Sequence, residues 1–386
     1  MIYLDHAATS PPLPGVVEAM APWLRVPANP ASAHGAGQRA AAALQHAREQ
    51  VAALLRRPAE GIVFTSGATE ANHQGIRGWA VGGARRVWAS PLEHPCVHGA
   101  IEAAGLRRIP LAVDSAGRVV LPDPDAPARL GGAGEPDRLD EPGGSGGLLC
   151  LMAVNHETGV IQPLGAARAL AARHGLRLHV DAAQALGRGP VPALAGADSV
   201  VISAHKLGGP VGIGALSLLS GAPFPALLPG GSQERGRRGG TVPVALAVGF
   251  GAAAAQAEAE AEARSARYQG LAEPLRRGLV ALGARLVGEA AERSPTHTCV
   301  VFDGVPGEAL VQALDLEGIA VSSGAACASG SLEPSPVLVA MGDPHPEGAL
   351  RVSLGPGSTA GEIERLLAVL PRILEGVRLA LELQGG

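Results

Sequence analysis

A chain of 386 residues is long enough for one large α/β domain with a substantial core and a smaller second domain. Lysine and arginine total 31 against 35 acidic residues, a net charge of -4 that lacks the basic surplus nucleic acid or an anionic membrane demands and leaves small soluble substrates. No basic leader opens MIYLDHAATS. No later stretch approaches the roughly 20 apolar residues of a membrane span, so a cytosolic location is expected. Cys96, Cys150, Cys299 and Cys327 are scattered without a CxxC pair, which argues against a disulfide framework and a zinc site.

In chain order, AAALQHAREQVAALLRR from about Ala40 to Arg57 has helical spacing and stops at Pro58, and GIVFT reads as a short buried strand. The alternation continues with RRVWAS, a helix from His94 to Gly105, GLLCLMAVN and a helix from Pro163 to Gly175. Strands LRLHVDAA, DSVVISA and GIGALSLL follow. Such alternation predicts a mostly parallel sheet covered on both faces, with ligand-binding loops at the carboxyl ends of its strands. Between Leu121 and Gly147 the chain is too rich in Pro, Gly and Asp for a regular element and reads as an exposed, partly mobile loop. A long Ala/Glu-rich helix begins near Val244. Strand THTCVVF, a helix near Glu308 to Glu317, IAVSS and a closing helix from Thr359 suit a smaller α+β domain. The expected division is 16–250 for the large domain, with 1–15 and 251–386 forming the small one.

The chemistry concentrates in HVDAAQ and SAHK, where Asp181 and Lys206 stand 25 residues apart at neighbouring strand ends. Pyridoxal phosphate needs a lysine for its Schiff base and a carboxylate to keep its ring nitrogen protonated, and these two residues supply that pair. Gln184 is placed to donate to the phenolic oxygen and His94 to stack on the opposite ring face. Singly, Asp181 reads as a strand-end cap, Lys206 as a solvated charge and His94 as a helix start; jointly they read as a site. In FTSGATEAN a strand ends just before a helix, so free N–H groups and the Thr69 hydroxyl make an anion site, to which Ser203 and His205 add donors. Cys150 and Cys299 in apolar strands and Cys96 in a first helical turn read as small buried hydrophobes. Cys327, among Gly, Ala and Ser with no apolar face to pack on, reads as a reactive loop thiol.

These residues carry a resemblance covering nearly the whole chain, through YLDHAAT, NPASAHGAG, FTSGATEAN, EHPCV, VNHETG, HVDAAQ, SAHKLGGPVGIGAL, GGSQERGRRGGTVPV, SSGAACASGSLEPS and LRVSLG. The chain resembles the cysteine desulfurases of the class V aminotransferase group, long-loop subgroup. The resemblance implies a PLP-dependent, aspartate-aminotransferase-like type I α/β fold. It implies Lys206 as the Schiff-base lysine, Asp181, Gln184 and His94 around the ring, and phosphate contacts from Ala68, Thr69, Ser203 and His205. Thr241 would reach the phosphate across a homodimer interface, Asn155 and Arg351 would hold the carboxylate of L-cysteine, and Cys327 would carry the persulfide to a protein sulfur acceptor such as an iron–sulfur scaffold. Ala204, Val211, His156 and Ala325-Ala326 depart from the group's usual residues without removing a named chemical group. The rival readings are a transaminase or selenocysteine lyase on the same fold, and a sulfur-relay scaffold without catalysis.

Overall fold

The computed structural model describes residues 1–122, 146–189, 194–219, 224–324 and 334–385. Its centre is a seven-stranded sheet of β1 (Ile62–Thr65), β2 (Arg86–Ala89), β3 (Arg107–Pro110), β4 (Leu148–Met152), β5 (Arg177–Asp181), β6 (Ser199–Ser203) and β7 (Gly214–Leu218). The spatial order is β1-β7-β6-β5-β4-β2-β3, and only β7 runs antiparallel to its neighbours. Alternate residues face opposite layers: Leu149 and Leu151 join one buried cluster while Leu148 and Cys150 join another. The first cluster is closed by α1 (Gly35–Leu55) and the second by α2 (Ala68–Val81) and α3 (Pro95–Ala103). Burial on both faces is why inner strands such as β4 (LLCLM) are continuously apolar instead of alternating, whereas the edge strand β3 (RRIP) is mostly exposed. Each fully buried Leu or Phe contributes about 1.5–3 kcal/mol.

After α4 (Leu164–His174), the stretch starting at Val244 forms two helices, α5 (Val244–Ala259) and α6 (Ala261–Ala281), where the sequence suggested one. The break is at Glu260, whose φ of -102° and ψ of 7° leave the helical region. Its carboxylate instead accepts from Gln256 and Arg264 on the two sides of the break. Beyond it, β8 (Arg285–Leu286), β9 (His297–Val301) and β10 (Ala349–Ser353) form an antiparallel sheet against α7 (Gly307–Leu316) and α8 (Ala360–Gly385). The N-terminal strand Ile2–Tyr3 pairs in parallel with Ile319–Ala320, and Leu4 enters the cluster that contains Tyr268, Phe302 and Leu370. Most of the Leu121 to Gly147 loop and all of 325–333, with Cys327, lie outside the described residues.

Candidate active site

Six segments meet at the carboxyl ends of β1, β2, β4, β5 and β6 around a cavity of about 370 Å³. Ala68, Thr69, His94, Asp181, Gln184, Ser203, His205 and Lys206 all line it. Ala68 and Thr69 open α2, so the first N–H groups of a 14-residue helix face the cavity. The antiparallel β7 starts at the same end. A Cβ on Gly214 would stand 2.7 Å from the carbonyl carbon of Gly67, so glycine is what allows that strand to close on the turn. Asp181 ends β5 with Oδ1 accepting from Ala183 N at 2.9 Å and Oδ2 from Asn72 Nδ2 at 2.8 Å.

Lys206 follows β6 in a short 3₁₀ turn and donates through Nζ to the carbonyls of Ala7 and Ala8, at 2.5 and 2.7 Å. The same N-terminal segment accepts from Gln184 Nε2 at 2.9 Å through Ala7, and places Thr9 Oγ1 3.0 Å from His205 Nδ1. This floor, supplied by residues some two hundred positions before the lysine, escaped the sequence reading. Burial and the adjacent Lys206 push the His205 imidazole down to about 4, so it is neutral near pH 7. Burial also lowers His94, against the raising effect of Asp181.

Cys96 corrects one expectation. It is half-buried and lines the cavity, with Sγ 3.0 Å from His94 Nδ1, because the N-cap geometry of His94 turns the first residues of α3 toward the ligand side. Burial and Asp181 push its thiol up to about 12, so it stays protonated and is a poor nucleophile. Cys150 and Cys299 are fully buried, as the sequence indicated.

Two residues expected at the substrate are engaged elsewhere. Asn155 is fully buried; its Oδ1 accepts from Glu157 N, Thr158 N and Thr158 Oγ1, holding the turn after β4, and it does not line the cavity. Arg351 sits in β10 as expected, donates to the His156 carbonyl at 2.9 Å and pairs with Asp5 Oδ1 at 2.9 Å. Thr241 is exposed and lines a separate groove with Asn29 and Ser232. His156, unforeseen as a contact, meets His94 edge-on with ring centroids 5.4 Å apart.

Nothing in the sequence marks Glu93, since a glutamate beside a histidine carries no pattern. It is fully buried, its Oε1 accepts from Met152 N at 2.9 Å, and burial pushes it up from 4.5 to about 8. An acid whose folded value lies above its unfolded one binds more protons folded, so its stability contribution is whole below about 4.5 and is lost as pH rises to about 8. Glu93→Gln should therefore flatten the stability profile. Between pH 5 and 8 the wild type should lose on the order of 3 kcal/mol more than the variant in chemical denaturation. Parallel profiles would mean that Glu93 is not held protonated.

The model of the class V aminotransferases matches residues 2–123 and 139–366. A cysteine desulfurase of Cereibacter sphaeroides is 39% identical over 98% of this chain and 96% of its own length, and one of Rhodobacter capsulatus is 39% identical over 98% and 97%. The chain belongs to the cysteine desulfurases of the class V aminotransferase family. A solved NifS-like protein superposes with a TM-score of 0.86 at 31% identity, covering 97% of this chain and 99% of that one. A structure described as SspA in complex with cysteine gives 0.76 at 29% identity, covering 93% and 100%.

The cofactor of this desulfurase family is pyridoxal 5′-phosphate, and the cavity suits it. The α2 N-terminus with the Thr69, Ser203 and His205 side chains forms a donor set for a phosphate, and the Asp181 carboxylate and Lys206 amine line the same cavity, while Gln184, expected to donate to the phenolic oxygen, already gives one Nε2 hydrogen to the Ala7 carbonyl. Lys206, Asp181, Gln184 and His94 would hold the ring of the cofactor.

Proposed function

We propose that this chain removes the sulfur of free L-cysteine, releases L-alanine and leaves the sulfur as a persulfide on Cys327 for a protein acceptor. The observation carrying this reading is the convergence of Lys206, Asp181, Gln184 and His94 on one cavity beside an anion-binding helix terminus. Bound there, the cofactor supplies an electron sink for the carbanion at the substrate Cα. Lys206 holds the cofactor by its amine and, displaced by the substrate amine, takes the Cα proton as general base. Arg351 holds the substrate carboxylate, which exchanges with Asp5 on the guanidinium; the planar fork suits such an exchange. Asn155 acts one step back, by fixing the turn that presents His156. The Cys327 thiolate attacks the substrate sulfur: an S–S bond forms, the bond from sulfur to Cβ breaks, and alanine leaves.

Thr241 is exposed and lines a groove separate from its own cavity, a position that leaves it available to the phosphate site of a second copy, and this supports a homodimer as the working unit. A thiol that must remain free requires a reducing compartment, which supports the cytoplasm. Product analysis tests the reaction. Holoenzyme given cysteine should yield alanine and protein-bound sulfur in equal amounts, whereas exchange of the amino group with a keto acid would place the chain among transaminases.

A further inference from the structure

A line of buried polar side chains leads away from the cavity and meets it at one end, at Asp181 and Cys96. Trp79 Nε1 lies 2.9 Å from Ser199 Oγ, Ser199 Oγ 2.8 Å from His179 Nδ1, His179 Nε2 2.9 Å from Asn72 Oδ1, and Asn72 Nδ2 2.8 Å from Asp181 Oδ2. Asn72 Nδ2 also lies 3.3 Å from Cys96 Sγ, the thiol against His94. Asn72 and Ser199 are 0% exposed and His179 is 1% exposed, so every polar atom here must find its partner within the protein. The site is also shaped for the ring: a Cβ on Gly75 of α2 would stand 2.7 Å from His179 Cε1.

The donors can be ordered from chemistry alone. An ionised Asp181 only accepts, so Asn72 must turn its NH₂ group toward the carboxylate and its oxygen toward His179. His179 Nε2 must then carry a hydrogen. Burial pushes His179 down to about 4, so the ring is neutral and Nδ1 is bare. Nδ1 therefore accepts from the Ser199 hydroxyl, whose oxygen accepts from the Trp79 indole, a group that can only donate. One arrangement satisfies all five groups.

We infer that Asn72 and His179 are positioning residues for the cofactor. Asn72 holds Asp181 with one amide hydrogen and the Cys96–His94 pair with the other, and His179 fixes which way the Asn72 amide faces. A reversed amide would set its oxygen against the carboxylate. This rests on Asp181 being the partner of the ring nitrogen.

Two measurements test it. In protein labelled with ¹⁵N-histidine and freed of cofactor, long-range ¹H–¹⁵N correlation at pH 7 should show His179, assigned by its loss in His179→Gln, as the neutral Nε2–H tautomer. An Nδ1–H or charged ring would overturn the ordering. In holoenzyme, Asn72→Ala and His179→Leu should each weaken cofactor binding and lower kcat for alanine by about 10–100-fold, with KM for cysteine little changed. His179→Gln, which donates toward Asn72 and accepts from Ser199, should restore most of both; a loss equal to that of His179→Leu would mean that only packing is at stake. Asp181→Asn separates the two claims. If it leaves cofactor binding and the visible band unchanged, the ring-nitrogen reading fails. If it damages them while Asn72→Ala and His179→Leu do not, the positioning inference alone falls.

Discussion

Lys206→Ala should give a colourless protein that forms no alanine from cysteine. Two losses coincide in that variant. The amine proposed to bond the cofactor is gone, and with it the proposed base at the substrate Cα, a task worth about 10²–10⁴-fold by itself. The Nζ group also donates to Ala7 and Ala8, so the carbonyls of the N-terminal floor lose their cation. That second effect is structural and does not touch the chemistry at the substrate. The measurement is the visible spectrum of the reconstituted variant together with alanine release. A variant that kept the visible band and went on turning over cysteine would remove Lys206 from the role given to it here.

The sheet and the meeting of Asp181 and Lys206 at one cavity are legible in the sequence because both are written locally. Strands covered on both faces must be continuous apolar runs, and a polar residue ending such a run, like Asp181 in LRLHVD or Ser203 in SVVIS, falls at the ligand-binding edge by construction. What escaped the sequence lies in contacts between distant segments. Nothing near Lys206 announces that Ala7 and Ala8 will meet its amine, nor does the neighbourhood of Arg351 show that Asp5 will pair with it, 346 residues away. Cys96 packs against the buried cluster of α2 and α3, as its setting implies, and lines the cavity as well, which its setting does not show. The first turn of a helix can face core or ligand, and the choice depends on how His94 caps it through Nδ1, a side-chain conformation that spacing does not encode. The break at Glu260 was hidden in the same way, since an Ala/Glu-rich run favours helix on both sides of it.

Cys327→Ser should keep the colour, still bind cysteine, and lose nearly all production of alanine and persulfide. In the proposed reaction, activation of the substrate and removal of its sulfur fall to different residues: Lys206 serves the Cα, and a thiolate takes the sulfur. The described thiols are poor rivals. Cys150 and Cys299 are fully buried inside strands, with burial raising both and pushing Cys299 up to about 12, and Cys96, although in the cavity, is held protonated beside His94. The segment that contains Cys327 departs from Gly324 and returns through Ser335, and both stems meet one buried group. Ser335 Oγ donates to Glu157 Oε2 at 2.5 Å, and a Cβ on Gly324 would stand 3.0 Å from the same oxygen. Glu157 belongs to the turn that Asn155 fixes, next to His156, which lines the cavity, so both stems lie against that turn. If Cys327 only packed, serine would cost some stability and leave turnover per folded molecule nearly unchanged. Mass spectrometry of wild-type protein after cysteine should find one added sulfur on the peptide containing Cys327 and none on those containing Cys96, Cys150 or Cys299. Sulfur on the Cys96 peptide, or full alanine production by Cys327→Ser, would transfer the acceptor role to another thiol or remove it from the reaction altogether.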